Sequence, residues 1–154
     1  MSSKGLAELR QLSLQASRWK HPTLPEKWRC THDYTDRTAN GLTKCIIDWC
    51  RFNAYQCERI AVTGRYIDNT KIVTDVLGSK RRIGSGKWIR ASMQKGSADL
   101  SIIIRGHAIK VEVKMKDKQS PDQKAYQQQV EQAGGRYWLC YSFDMFLKYY
   151  NELP

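Results

Sequence analysis

No apolar run in this sequence approaches the ~18 residues that a membrane-spanning helix needs. The first residues, MSSKGLAELRQLSLQ, lack the charged-then-apolar layout of a secretory signal. Both absences lead to the expectation of a cytoplasmic chain with no membrane partner. Cysteine pairs at short spacing are missing as well. Cys45, Cys50 and Cys57 are separated by four and six residues, and Cys30-x-His32 has no second pair, so no zinc site is legible. The five cysteines are an odd number, which favours free thiols used as small apolar side chains. No His is paired with a particular Cys, so nothing points to a thiol protease. There is no internal repeat and no low-complexity tract. Acidic residues are absent from Gly78 to Ser97.

What is present is basic charge. The 154 residues carry 26 Lys+Arg against 15 Asp+Glu, a formal net charge of +11. A polyanionic partner follows, with nucleic acid ahead of an anionic membrane surface. An apolar content of 41% and an aromatic content of 10% are those of a folded domain. A chain of this length needs neither disulfide nor metal for stability.

The pattern along the chain is mixed α/β. Leu9, Leu12, Ala16 and Trp19 recur at helical spacing, and the Pro22 and Pro25 region stops that helix. Residues 1–37 are therefore expected to be a helical arm and extended connector, with Leu9, Leu12 and Trp19 available to a partner or second copy. Leu42, Cys45, Ile46, Trp49 and Cys50 form the buried stripe of a helix capped by Thr38 or Asn40. Strands are expected at 57–63, 71–77, 98–104, 109–114 and 136–142, and helices from Ser120 to Ala133 and from 143 to 153. Ser120-Pro121-Asp122-Gln123 reads as a capping box with proline at the first helical position. The segment 65–97 reads as a basic β-hairpin or flap.

One constellation carries chemistry. Glu112 and Lys114, two apart on a strand, share a face, while Val111 and Val113 point the other way. A turn near Gly106 folds the preceding strand back, so Asp99 arrives beside Glu112 and Lys114. Two carboxylates and a lysine suit phosphodiester hydrolysis. The carboxylates are hard oxygen ligands for Mg²⁺, and a lysine beside them stabilises developing negative charge. A Glu-x-Lys on an amphipathic strand is commonly a solvated face. Asp99 on the preceding strand, the Gly96 turn before it and the Ser120–Gln123 helix start raise this one above that reading.

Gly96-Ser97-Ala98-Asp99-Leu100 followed by Val111-Glu112-Val113-Lys114 resembles the PD-(D/E)XK nuclease signature. Ser120-x-x-Gln123 and the Ala133-Gly134-Gly135 stop are similar to the VRR-NUC branch, related to archaeal-type Holliday-junction resolvases. The resemblance covers about residues 38–142. It implies a restriction-endonuclease-like αβββαβ core, with a mixed sheet flanked by helices, in a domain spanning 38–154. It implies a Mg²⁺-dependent DNA endonuclease (Mn²⁺ as substitute) acting on branched or structured DNA, a homodimer, and a bacterial or phage origin. Asp99, Glu112 and the Val113 backbone carbonyl would hold the metal, and Lys114 would be the catalytic lysine. Gln123 would sit near the active site, beside its reading as a capping residue. Asn40 stands where such nucleases often place a helix glutamate, and an amide is a weaker ligand for Mg²⁺.

Lys80, Arg81, Arg82, Lys87, Arg90 and Lys95 would neutralise phosphates, with Lys116 beyond the second strand. Trp88 among them would anchor the flap or stack on an unpaired base. The alternative function is a DNA-binding protein on a nuclease fold with weak or no catalysis, for which Asn40 is the support. A third is an assembly protein that is basic for other reasons.

Overall fold

Apolar periodicity and caps set the helices of the protein, whose residues 4–29, 32–60, 64–89 and 94–154 are described in a computed structural model. The first helix, α1 (Lys4–Lys20), buries Leu6 and Leu9. Helix α2 (Ala39–Phe52) begins at Thr38, whose hydroxyl accepts from the Gly41 amide at 3.1 Å. It buries the whole expected stripe of Leu42, Cys45, Ile46, Trp49 and Cys50. Strand β1 (Gln56–Arg59) follows. It is shorter than the strand expected at 57–63, whose last residues, 61–63, lie outside the described set.

Four short strands come next: β2 (Arg65–Asp68), β3 (Lys71–Thr74), β4 (Lys80–Ile83) and β5 (Gly86–Ile89). They belong to a separate compact unit within residues 61–94. The remaining elements are β6 (Leu100–Ile104), β7 (His107–Val113), α3 (Pro121–Gln132), β8 (Arg136–Cys140) and α4 (Phe143–Asn151). With α1, α2 and β1 they make the core unit.

The core sheet has the order β1-β6-β7-β8. The first two pairings are antiparallel and β7-β8 is parallel, the two strands being joined through α3. The β6–β7 connection is only two residues long. Arg105 and Gly106 both have positive φ, 49° and 80°, as a primed hairpin turn demands. Arg105 is held there from outside. Its guanidinium lies 4.7 Å from the Tyr150 ring centre and donates to the Tyr150 hydroxyl at 2.9 Å.

The two faces of the sheet differ. Leu100, Ile102, Ile104, Ile109, Val111, Trp138 and Cys140 are buried in one cluster with residues of α2 and α4. There Trp49 meets Phe146 and Tyr150 edge-on, at 5.3 and 4.6 Å between ring centres. Tyr137 precedes Trp138 and so projects from the opposite face, where its ring meets Tyr126 of α3 at 6.4 Å. Helix α3 itself buries no residue. The second face is unevenly covered: Glu112 and Tyr137 are buried there, while Ile103 is exposed.

The helix expected as an outlying arm belongs to this core. Leu6 and Leu9 are buried in it, and Leu12 packs against it. The Gly5 amide donates to Asp144 at 3.0 Å, and Arg10 donates to the Tyr34 carbonyl at 3.2 Å. Helical spacing identifies an apolar face but not what covers it, and here the chain covers it with α2 and α4. Of the three residues offered to a partner, Trp19 alone stays exposed, at 89%. Among the described residues no helix is long and apolar enough to cross a membrane.

Leu9→Ala is therefore expected to lower stability by about 2–5 kcal/mol, measured by urea unfolding. An arm outside the core would leave the midpoint unchanged.

Candidate functional site

Strand register positions the two carboxylates. Leu100 pairs with Val111, so Asp99, one residue before β6, stands across from Glu112. Residues opposed in an antiparallel pair project to the same face. Asp99 is anchored twice. Its Oδ2 accepts from the Val113 amide at 2.9 Å, and its carbonyl accepts from the Ile60 amide at 2.8 Å. Beyond the end of β7, the Lys114 amide donates to the Cys140 carbonyl at 2.9 Å, which continues the line of the strand. The Lys114 ammonium then lies 3.3 Å from Glu112 Oε1, with the lysine side chain 15% exposed.

The start of α3 closes the group. Ser120 Oγ accepts from the Gln123 amide at 3.2 Å, and Gln123 Oε1 accepts from the Ser120 amide at 3.0 Å. The other end of the same side-chain amide, Nε2, donates to Glu112 Oε1. Gln123 is thus both capping residue and direct partner of Glu112. Gly96 presses onto this turn with φ +75°, where a Cβ would stand 2.4 Å from the Asp122 carbonyl and 2.7 Å from the Gln123 nitrogen. Only glycine lets the segment leading to Asp99 lie flat on the helix start.

The electrostatics of Glu112 follow from its place. The residue is 3% exposed. Lys114 and Gln123 both serve Oε1, while Oε2 is buried with no hydrogen-bond partner among the described residues. Burial, then the Asp99 charge, push its carboxyl up to about 7, against the pull of Lys114 and Gln123. Sequence reasoning missed Tyr137. Its strand lies parallel to β7, with Tyr137 beside Lys110 and Leu139 beside Glu112. Burial, then the Glu112 charge, push its hydroxyl upward. The only sign in the sequence was an aromatic inside an otherwise core-like strand, RYWLC.

Other expected residues are placed elsewhere. Asn40 Oδ1 accepts from Arg59 at 3.1 Å at the exposed start of α2. In the 61–94 unit, Arg82 donates to Asp68 at 3.1 Å and to Thr70 at 2.9 and 3.0 Å. Arg81 lies 3.7 Å from Asp75. Their segment has no acid of its own, but the fold brings it Asp68 of β2 and Asp75 of the turn after β3. Lys80 and Lys87 are exposed and, among the described residues, have no carboxylate at ion-pair distance. Lys95 and Lys116 are exposed in the core unit. Arg90 and Cys30 lie outside the described residues. Trp88 is 60% exposed, more than an anchor would be. Cys45, Cys50 and Cys140 are buried free thiols. A cavity of about 680 Å³ lined by Leu12, Trp19, His32, Lys44, Asp48 and Arg51 includes none of the expected site residues.

No group of three or more His, Cys, Asp or Glu side chains among the described residues is placed to hold a metal ion. Asp99 and Glu112 are a two-carboxylate set. The fit of a hard divalent cation to it rests on one observation, the buried and unpartnered Glu112 Oε2. No protein family, curated protein or solved structure matches the chain.

A folded carboxyl near 7, above the ordinary 4.5, adds stability that is full below about 4.5 and lost as the pH rises through about 7. The melting temperature of Glu112→Gln minus that of the wild type is therefore expected to grow from pH 5 to pH 8. Parallel melting curves across that range would place the Glu112 carboxyl at its ordinary value.

Proposed function

We propose that the protein is a metal-dependent DNA endonuclease of the PD-(D/E)XK kind, VRR-NUC-like, acting on branched or structured DNA. The observation that carries this reading is that Asp99 and Glu112 face each other across the β6–β7 register with the Lys114 ammonium at Glu112 Oε1, while Glu112 Oε2 is buried with no hydrogen-bond partner among the described residues. The order α2-β1-β6-β7-α3-β8 supports it, being the αβββαβ order of a restriction-endonuclease-like core.

Asp99, Glu112 and the Val113 carbonyl would hold Mg²⁺, with Mn²⁺ as substitute. The bound ion would acidify a water and offset charge on the phosphoryl group. Gln123 holds the Glu112 carboxylate in one rotamer from the helix start. The Val113 amide does the same for Asp99. Lys114, held by Glu112, offers a positive charge to the phosphate oxygens as a water oxygen bonds to phosphorus and the bond to the leaving sugar oxygen breaks. Lys80, Lys87, Lys95 and Lys116, with no carboxylate at ion-pair distance among the described residues, would supply phosphate contacts. Arg81 and Arg82 start from existing partners and contribute less. The proposed assembly is a homodimer.

Asn40 favours a second reading, in which the same fold binds DNA without cutting it. Its amide is neutral and accepts from Arg59 at the exposed start of α2, so it adds no carboxylate to Asp99 and Glu112.

Labelled duplex, single-stranded and four-way-junction DNA, incubated with Mg²⁺ or Mn²⁺, separate the two. Wild-type cleavage is expected to fall about 100-fold or more in Asp99→Ala and in Lys114→Ala, with binding retained. Binding without cleavage by the wild type selects the second reading. Equal cleavage by all three proteins would sink the assignment.

A further inference from the structure

The 61–94 unit presents apolar side chains where a turn ordinarily carries polar ones. Its four strands form two antiparallel pairs, β2 with β5 and β3 with β4. The register runs through both, from Arg65 opposite Ile89 to Thr74 opposite Lys80, so the described strands are two parts of one long ribbon. The ribbon is interrupted once, at Asn69–Thr70 against Gly84–Ser85. Gly84 there has φ +107°, and a Cβ on it would stand 2.5 Å from the Asn69 carbonyl oxygen. Arg82 clasps Asp68 and Thr70 across that break.

The far end is a built turn. Asp75 Oδ1 accepts from the Leu77 and Ser79 amides, both at 2.9 Å. The Asp75 carbonyl accepts from the Gly78 amide at 3.0 Å, the Asp75 amide donates to Ser79 at 2.9 Å, and Gly78 has φ +81°. Turns use Asp and Gly for these roles. The two positions the turn holds outward, however, are Val76, fully exposed, and Leu77, 88% exposed. A fixed turn that presents two branched aliphatics to solvent gains nothing for its own fold from them.

The cations behind this tip say what it meets. By strand alternation, Lys71 and Arg81 lie on one face of the ribbon and Lys80 and Arg82 on the other. Arg65 and Lys87 share a face further back. Ten residues of strand from Arg65 to Thr74 span roughly 30 Å, close to one turn of duplex DNA. Arg81 and Arg82 are held by Asp75 and Asp68, so the charge unpaired among the described residues is that of Arg65, Lys71, Lys80 and Lys87. It is spread along that length with Lys71 and Lys80 on opposite faces, which matches two phosphate rows flanking a groove. An anionic lipid surface would be met by cations gathered at one depth.

We propose that this ribbon enters a groove of duplex DNA, its lysines on the flanking phosphates and Val76–Leu77 inserted as a wedge that unstacks a base step. Apolar wedges of this kind unstack and kink DNA at grooves. The inference rests on the DNA-binding part of the reading above and is independent of cleavage.

The test uses metal-free buffer and a short duplex with 2-aminopurine at its centre and fluorophores at its ends. Wild type and Asp99→Ala are expected to raise 2-aminopurine emission several-fold and to shorten the end-to-end distance. Val76→Ser/Leu77→Ser, altered only at exposed positions, should melt as the wild type does. It should bind within about threefold of wild-type affinity yet leave both signals at their free-DNA values. Lys80→Ala/Lys87→Ala should weaken binding roughly tenfold and lower the salt slope by about 2. An unchanged 2-aminopurine signal in the tip variant overturns the proposal. So does a wild type that leaves DNA stacked but loses binding to phosphatidylserine vesicles, or its self-association on sedimentation, when the tip is changed. Unstacking without metal-dependent cleavage would remove the nuclease reading and leave the wedge. Cleavage without unstacking would do the reverse.

Discussion

The pairing of β6 with β7 is the constraint on which the rest of the candidate site depends. Arg105 and Gly106 close that hairpin in two residues, which leaves one register. With Leu100 opposite Val111, Asp99 must face Glu112. A slip of one residue would turn Glu112 into the apolar core and Val111 out of it. The burial of Leu100, Ile102, Ile104, Ile109 and Val111 on a single face makes that slip costly. The apolar side of the sheet therefore holds the polar side in place. The Tyr150 ring and hydroxyl, by gripping Arg105, brace the turn from a helix at the other end of the chain.

The second constraint is the start of α3. One side chain, Gln123, completes the capping box and holds Glu112. Gly96 brings the segment before Asp99 against the same turn. The helix adds no buried residue to the core, so its contribution is positional. Burial and the Asp99 charge lift the Glu112 carboxyl to about 7 against the pull of Gln123, while Oε2 has no hydrogen-bond partner among the described residues. A buried acid with an unsatisfied oxygen is a cost to the fold, and such costs concentrate where a protein does chemistry.

The 61–94 unit follows a different logic. It has little buried interior, and local pairing holds it: a continuous register, an Asp75-closed turn, and the Asp68–Thr70–Arg82 clasp. Its surface mixes lysines with exposed Tyr66, Ile72, Val76, Leu77, Ile83 and Trp88. Such a ribbon is suited to meeting something outside its own fold.

The sequence by itself determined the local elements. The α2 stripe, the Thr38 cap, the Ser120–Gln123 box and the alternation of Ile109–Lys114 are all short-range patterns, and each is found where its period and cap chemistry put it. The candidate carboxylates and lysine were legible for the same reason, because two-residue periodicity and one tight turn relate them. Tertiary structure decided what distant segments do to one another. It placed Leu6 and Leu9 of α1 inside the core, set Tyr137 beside Lys110 on the strand next to Glu112, and gave Arg81 and Arg82 acidic partners in Asp75 and Asp68. Charge and hydrophobicity along a chain state what each side chain can do. The neighbour that neutralises or buries it comes from a strand or helix whose position only packing settles.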